Sequence, residues 1–426
     1  IQVLLGSKTI TTVDTIIAWT SMPNNQVDTV TANDSSSVKI VGPSISGTFT
    51  IGGVSPNYAT FSAAVADLNT FVGWGPVVFN VRAGSYNEQI SLGTIAGASS
   101  INTITFNGVS RDSVLLWDGS NNFSANYVVD INGASYVTFQ NMAIRNTSAT
   151  YKYVVNFSGA SDNITFDNNY LYNDSSTTYI TTSTNSTIVY SNGIVHNGPI
   201  TFSNNIMIGG SYAFYYRGSG TTSLTPGITI EGNTLMPYYE GIYFYYVDAP
   251  KGRNNVIDMR NGYTFGPEVI YGYYCDNDME ITGNQILGSN NYGEGLYLVN
   301  CDGTGSKNSL IANNMIFVGD SNNTSTSYGI YASSCGFMNI YNNSINVMNN
   351  GTNSRGIYMP SGGGNKVVNN NVSGFNGHNI YVTAGFTLTE SDYNNFYNVN
   401  GDVGYDGSQS HATLSAWQGA TGNDMN

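Results

Sequence analysis

The amino-acid sequence predicts an all-β protein folded as a single right-handed parallel β-helix, a solenoid of stacked coils. Two sequence phrases that recur in a fixed order, and an unusual composition, support this prediction. Only 9% of the 426 residues are charged, whereas 32 are Tyr and 49 are Gly. Few charges with many aromatic residues indicate an ordered fold, and abundant Ser, Thr, Asn and Tyr favour strands joined by tight turns.

The first phrase is an apolar residue, a spacer, Asn-Asn or Gly-Asn, a spacer and a second apolar residue. Its copies are FDNNYL (166–171), FSNNIM (202–207), IEGNTL (230–235), ITGNQI (281–286), IANNMI (311–316), IYNNSI (340–345) and VVNNNV (367–372). FQNMAI (139–144) is a degenerate copy, and Asn254-Asn255 fills the one long gap. Asn at a fixed turn position predicts a ladder in which each side-chain amide bonds its neighbours in the adjacent coils.

The second phrase is a three-residue segment that ends in a tyrosine, such as GIY (241–243). The tyrosines of successive copies are 28, 28, 26, 34, 27 and 23 residues apart. Strand side chains alternate, so if the preceding Ile or Leu points inward, the tyrosine points outward. This row is a candidate interaction surface for a sugar or a protein, or else a stacking ladder that only stabilises the helix. Its members are Tyr215, Tyr243, Tyr271, Tyr297, Tyr331, Tyr358 and Tyr381.

The repeats contain no long segment of helical period, which excludes helical solenoids. Helical spacing at 58–71 predicts an N-terminal capping helix, and 414–420 with Thr413 as N-cap forms part of a C-terminal closure near 413–426. We therefore divide the chain into a β-helix at 45–426 and a strand-rich extension at 1–44, with strand-like runs at 8–17 and 27–32. The extension is either a lid over the first coils or a strand that pairs with a neighbouring subunit.

Four stretches resemble pectin-lyase-like right-handed β-helix proteins, above all the large secreted surface proteins of Bacteroidota-type bacteria. YATFSAAVADLN (58–69), GPVVFNVRAGSYNEQI (75–90) and ASYVTFQNMAI (134–144) are similar to the opening of those proteins, and TLSAWQGATGND (413–424) to a phrase after their last coils. The resemblance covers roughly residues 45 to 424 and implies the fold and secretion. Proteins of this fold serve as lyases, hydrolases, adhesins and fibres, so it does not imply one function.

Asp248, Asp276 and Asp302 each lie five residues after a ladder tyrosine and are expected to stack on consecutive coils. Stacked carboxylates repel, so they are either solvated turn residues or a candidate calcium site. Cys275, Cys301 and Cys335 are expected to form a second row, with Val247 in the same position one coil earlier. This substitution indicates a small apolar interior row rather than a redox site.

Several classes of function are disfavoured. The net charge of −14 argues against nucleic acid as a partner, and no stretch is apolar for long enough to span a membrane. The resemblance implies no particular enzyme, because the Asn-Thr-Asp and Gly-His-Gly phrases of the hydrolases are absent and no complete catalytic constellation is found. No cofactor is expected apart from calcium.

We expect an extracellular structural or adhesive surface protein, secreted with its signal peptide removed. The expected partner is the chain itself, polymerised into a filament through contacts that do not close, because its faces carry few of the charges that normally prevent edge association. An extracellular polysaccharide is a second candidate partner. The alternative function is a polysaccharide lyase or hydrolase.

Overall fold

The computed structural model describes residues 14–17, 39–41, 44–173, 183–263 and 266–426. In this part of the chain, short strands follow one another around a right-handed coil, and each pairs in parallel with its equivalent in the next coil. Three sheets of 13, 12 and 14 strands result, here called the first, second and third sheets. The parallel β-helix predicted from the sequence is confirmed.

Each coil contributes a strand to the first sheet, turns sharply into the second sheet and then enters the third. The strands of the first sheet are Ser44–Ile51, Val72–Val81, Ile104–Gly108, Ser135–Gln140, Asp162–Asp167, Ile200–Ser203, Ile228–Glu231, Lys251–Arg253, Glu280–Thr282, Ser309–Ala312, Met338–Tyr341, Lys366–Val368 and Glu390–Asp392. The strands of the second sheet are Gly84–Asn87, Val114–Asp118, Ala143–Asn146, Tyr170–Asn173, Ile206–Ile208, Thr234–Met236, Val256–Asp258, Gln285–Leu287, Met315–Val318, Ser344–Val347, Asn371–Gly374 and Asn395–Asn398.

The third sheet is parallel except at its last strand, which turns back to pair with the one before it. Its strands are Ile90–Leu92, Val129–Asn132, Lys152–Gly159, Ser186–Asn192, Tyr212–Arg217, Thr225–Pro226, Glu240–Asp248, Glu268–Asp276, Glu294–Val299, Tyr328–Ser333, Arg355–Met359, His378–Val382, Asp402–Asp406 and the antiparallel Ser410–His411.

Two small sheets complete the described structure. Cys335–Gly336 pairs in parallel with Gly362–Gly363, and Asp14–Ile16 pairs antiparallel with Lys39–Val41. The strand predicted at 27–32 and most of that at 8–17 lie outside the described residues. Whether the extension packs on its own subunit or on a neighbour therefore stays a prediction.

The turn between the first and second sheets holds the predicted asparagine ladder. Its first residue adopts a left-handed conformation, as at Asn313 with φ of 58°, which Asn and Gly tolerate best. The next residue is a buried Asn whose amide donates to the Asn side chain of the next coil, as from Asn314 Nδ2 to Asn343 Oδ1 at 3.0 Å. Every rung also satisfies backbone groups. The members of the ladder are Asn169, Asn205, Asn233, Asn255, Asn284, Asn314, Asn343, Asn370 and Asn394.

The interior consists of equally regular apolar columns. On five consecutive strands of the first sheet, from Val72–Val81 to Ile200–Ser203, phenylalanines stack nearly face to face with ring centroids 4.7 to 5.1 Å apart. Burying an aromatic side chain stabilises the fold by about 1.5–3 kcal/mol. Parallel pairing in register makes such columns obligatory, since it places equivalent residues one above another. The stacked residues are Phe79, Phe106, Phe139, Phe166 and Phe202.

A helix covers each end of the coil. The helix predicted at 58–71 is observed as α1, Phe61–Thr70, whose N-cap is Thr60 and whose Phe61 ring packs on Phe106. The second, α2, spans Leu414–Thr421 with Thr413 as its N-cap, as the sequence indicates. No helix within the described ranges is both long and apolar enough to cross a membrane.

Asp424, which follows α2, ends the asparagine ladder. Its Oδ1 accepts the amide of Asn394 at 2.7 Å, and its Oδ2 accepts the indole N–H of Trp417 at 2.9 Å. The carboxylate thus takes up the donor that the last rung would otherwise leave unpaired in the interior, where Asp424 is only 2% exposed. No sequence pattern indicated this role.

We predict that Asn314→Ala lowers the free energy of unfolding by about 3 kcal/mol or more, since it leaves the backbone N–H and one side-chain N–H of Asn284 without an acceptor. Chemical denaturation followed by circular dichroism measures this loss. The matched control is Asn313→Gly, which keeps the left-handed conformation at an exposed site and should change stability by less than about 0.5 kcal/mol. Equal losses in the two variants would contradict a ladder that stabilises the fold.

Candidate functional site

The predicted tyrosine row lies on the outer face of the third sheet and is longer than the sequence phrase indicated. The side chains before and after each tyrosine point inward, as at Ile242 and Phe244, both fully buried on either side of Tyr243. Two residues that the phrase missed, Tyr190 and Tyr405, extend the row in register at its two ends. The ring of Tyr153 also stacks on Tyr190, although the residue in register with Tyr190 is Asn156. The resulting stack of ten rings is here called the tyrosine ladder, and its other members are the seven predicted residues Tyr215, Tyr243, Tyr271, Tyr297, Tyr331, Tyr358 and Tyr381.

Most rings of the tyrosine ladder stack on one another. Successive centroids are 4.1 to 5.7 Å apart, and most ring planes lie within 20° of parallel. The ring of Tyr358 is an exception and meets its two neighbours edge-on, at 72° and 82°. A stacked ring has its faces covered, so the ladder presents mainly ring edges to a partner. This geometry suits polar contacts better than the stacking of sugar rings on aromatic faces.

A column of three glutamates runs beside the tyrosine ladder. Glu240, Glu268 and Glu294 each lie three residues before a ladder tyrosine and begin consecutive long strands of the third sheet. Glu268 pairs in register with Glu294, and the register of the preceding strands aligns Glu240 with Glu268. Adjacent carboxyl groups are thus one strand spacing apart, about 4.8 Å. We call these three residues the acid column.

The acid column is buried. Glu240 and Glu294 are each only 4% exposed, and the Oε2 atom of each has no hydrogen-bond partner in the described chain. Tyr292 donates its hydroxyl to Glu294 Oε1 at 3.3 Å. Burial raises the pKa of Glu268 to about 7 and, with repulsion from Glu268, raises that of Glu294 to about 8. Burial also raises the pKa of Glu240 well above its usual range.

These pKa values mean that the acid column binds protons near neutral pH. Two adjacent carboxyl groups without a cation between them are most stable when one carries a proton and donates it to the other. The nearest cation on the same column is Arg355, two coils beyond Glu294, and its guanidinium lies over the ring of Tyr381 at 4.3 Å. The sequence signal for this site was a Glu three residues before the tyrosine in three consecutive copies of the second phrase.

The predicted aspartate row is present, and its oxygens accept hydrogen bonds from the following turns. Asp248 pairs in register with Asp276. The side chain of Asn277 donates to Asp248, the backbone N–H of Asp302 to Asp276 at 3.3 Å, and that of Gly336 to Asp302 at 2.7 Å. Burial raises the pKa of both Asp276 and Asp302. The calcium site stays a prediction, and the observed bonds give these residues a structural role of their own.

The three cysteines form one interior row, as the sequence indicates. Cys275, Cys301 and Cys335 are free thiols and fully buried, and Val247 pairs in register with Cys275. Across the described ranges, no group of three or more His, Cys, Asp or Glu side chains has a geometry that could hold a metal ion.

Residues 181–323, less than half of the chain, match the family described as periplasmic copper-binding protein (NosD). The described residues of this segment do not fit a copper site. Its histidine, His196, is buried and has Nε2 bonded to Ser191 Oγ at 3.0 Å, while Nδ1 accepts the N–H of Ser161 at 3.3 Å. Its two cysteines, Cys275 and Cys301, lie in single file in the apolar interior.

Three solved structures illustrate what the chain is similar to in shape. A pectin methylesterase from carrot is 14% identical with a TM-score of 0.33, over 87% of this chain and 85% of that one. One from Aspergillus niger is 12% identical with a TM-score of 0.33, over 86% and 87%. The Dettilon tailspike protein (gp208) is 12% identical with a TM-score of 0.39, over 76% and 62%. No curated protein matches the sequence.

We predict that the acid column makes the free energy of unfolding fall as the pH rises. The folded protein binds protons more tightly than the unfolded chain between the ordinary glutamate pKa of 4.5 and about 8, so Glu294 costs stability increasingly as the pH rises through this window. The free energy of unfolding of Glu294→Gln should therefore equal that of the parent near pH 5 and exceed it by roughly 2–4 kcal/mol at pH 8. Urea denaturation at both pH values measures this, with the half-buried Glu231→Gln as control. A gain that does not depend on pH would contradict the assignment.

Proposed function

We propose that this chain is an extracellular structural or adhesive surface protein that assembles into filaments through contacts between successive subunits. The tyrosine ladder is the observation that carries the proposal. It extends along nine consecutive strands of one outer face and repeats the same uncharged polar group at every strand spacing, with the ring of Tyr153 stacked on its first member. A surface of this kind suits an extended partner, such as a polysaccharide or a neighbouring subunit, better than a single small substrate.

The two ends of the coil differ in a way that supports a head-to-tail contact. At the C-terminal end, α2 and the antiparallel strand Ser410–His411 cover the last coil. At the N-terminal end, α1 packs over the interior, but Ser44–Ile51 is the edge strand of the first sheet and pairs on one side only with another strand of the described chain. On its other side, the described bonds are those of Thr50 and Ile51 with Asn57 and Tyr58. An open strand edge accepts an added strand through main-chain hydrogen bonds. We place the residues before this strand, 1–43, in the contact between subunits.

Such a contact is heterologous, because it joins different surfaces of the two subunits. It does not close on itself and therefore extends into a fibre. Export to the cell surface accords with the low Lys content and with the similarity of residues 181–323 to a periplasmic family.

We predict that deleting residues 1–43 abolishes filaments and leaves the β-helix folded, because the deletion ends before the first strand of the first sheet. Electron microscopy of the two purified proteins tests assembly, and circular dichroism with thermal unfolding checks the fold. A folded deletion variant that forms filaments as well as the parent would contradict the proposed contact.

A polysaccharide hydrolase or lyase is the second candidate, favoured by the acid column. Glycoside hydrolysis needs a carboxylic acid that holds its proton near neutral pH, and Glu268, with a pKa of about 7 and partial exposure, has that property. Glu240 and Glu294 are too buried to reach a sugar in this conformation.

We predict no turnover when the chain is incubated with pectin, alginate or related glycans, with or without calcium. New reducing ends and unsaturated products are the readouts. Turnover by the parent that Glu268→Gln removes, and the control Glu231→Gln leaves intact, would replace the structural function with the enzymatic one.

A further inference from the structure

The outer face of the second sheet differs from that of the first in charge. On the strands of the first sheet, outward side chains include Lys251, Glu280, Lys366 and Glu390, which form ion pairs between coils. On the described strands of the second sheet, Arg145 and Asp258 are the only charged side chains that point outward. A long solvated face with two charges is unusual on a chain with a net charge of −14.

The centre of this face is apolar and exposed. Its outward side chains include Trp117, Tyr172, Ile206, Ile208, Met315 and Phe317, all of them exposed or half-buried, with Met315 57% exposed. A shallow depression of about 480 Å³ lies over Leu287, Met315 and Phe317. Contiguous apolar surface of this extent usually marks a contact with another molecule.

We infer that this face binds the same face of a second copy of the chain. Arg145 and Asp258 lie on the same outward column, each two coils away from Ile208 and on opposite sides of it. A two-fold axis that lies between the two faces, over the strand Ile206–Ile208 and parallel to it, brings the faces together and reverses the order of the coils. It therefore places Arg145 opposite Asp258 of the partner subunit, twice in each dimer, with Ile208 beside its own equivalent.

The size and spacing of the face favour a second copy over other partners. The axis at Ile206–Ile208 overlaps nine strands of each copy, and nine strands at about 4.8 Å with about 13 Å of strand length give roughly 560 Å² per subunit. The total of about 1,100 Å² exceeds the ~1,000 Å² expected of a specific interface. Only another β-helix repeats its side chains at the same spacing along this whole length. Two strongly acidic copies also repel each other least where their surfaces are neutral.

This lateral pairing is independent of the end-to-end contact proposed above. The proposed pairing uses the second sheet, so the variant lacking residues 1–43 should still dimerise. Arg260 adds a third charge to this surface and already binds Asp258 at 2.7 Å, so the pairing requires the Asp258 carboxylate to accept Arg145 of the partner subunit as well, for which it has further lone pairs. Arg145 lies over the ring of Tyr172 in its own subunit.

Sedimentation velocity of the variant lacking 1–43 tests the inference without interference from filaments. We expect a monomer–dimer equilibrium below about 100 µM, where even a micromolar Kd yields mostly dimer. Ile208→Lys should weaken it at least tenfold, because two lysines then meet at the axis. Thr165→Lys, on the outer face of the first sheet, is the matched control and should leave dimerisation unchanged. Met315→Lys replaces Ile208→Lys if that variant fails to fold.

A charge exchange tests the proposed orientation. Arg145→Glu and Asp258→Lys should each weaken the dimer, and the double variant should restore it to within about threefold of the parent, which is less than 1 kcal/mol. A protein that stays monomeric throughout this concentration range overturns the inference, as does a dimer that tolerates Ile208→Lys and Met315→Lys. A dimer that the exchange fails to restore overturns the two-fold arrangement.

Discussion

The in-register hydrogen bonding between successive coils is the constraint on which the rest of the structure depends. Every backbone bond between coils requires the next coil to follow the same path, including the sharp turn into the second sheet. The asparagine ladder holds this turn, because each buried amide binds both its neighbour and backbone groups, as Asn314 binds Ile281 O at 2.8 Å. Asp424 ends the ladder with a charge-assisted bond, so the last amide is also satisfied.

A register of this kind turns each sequence position into a column, and a column multiplies the effect of its chemistry. Aromatic rings gain from stacking, as the tyrosine ladder shows, whereas equal charges one strand spacing apart repel. The aspartate row lessens this repulsion through N–H donors such as that of Gly336. The acid column has fewer donors and holds protons instead, which raises the pKa of Glu294 to about 8. The two rows of acids thus differ in chemistry although they share one sheet.

In the proposed function, the outer faces of the three sheets make the contacts with partners. The first sheet carries ion pairs, the second is nearly free of charge, and the third presents tyrosine edges. Each face repeats at the strand spacing, so each suits a partner with the same repeat or an extended polymer. The two proposed modes of association use different parts of this surface, one the ends of the coil and the other its second sheet, and together they would yield paired filaments.

The sequence by itself determined the coil, because Asn254-Asn255 and its equivalents recur at the turn from the first sheet into the second. The alternation around Tyr243 assigned one side of the strand to the interior. It also indicated Thr413 as the N-cap of α2. The tertiary structure decided what no local pattern carries. The burial of Glu240 depends on segments of other coils that cover it, and the ladder cap at Asp424 depends on where the chain returns after α2. Residues that recur once per coil in the sequence predict a column, whereas the solvent exposure and pKa of its members depend on contacts between coils.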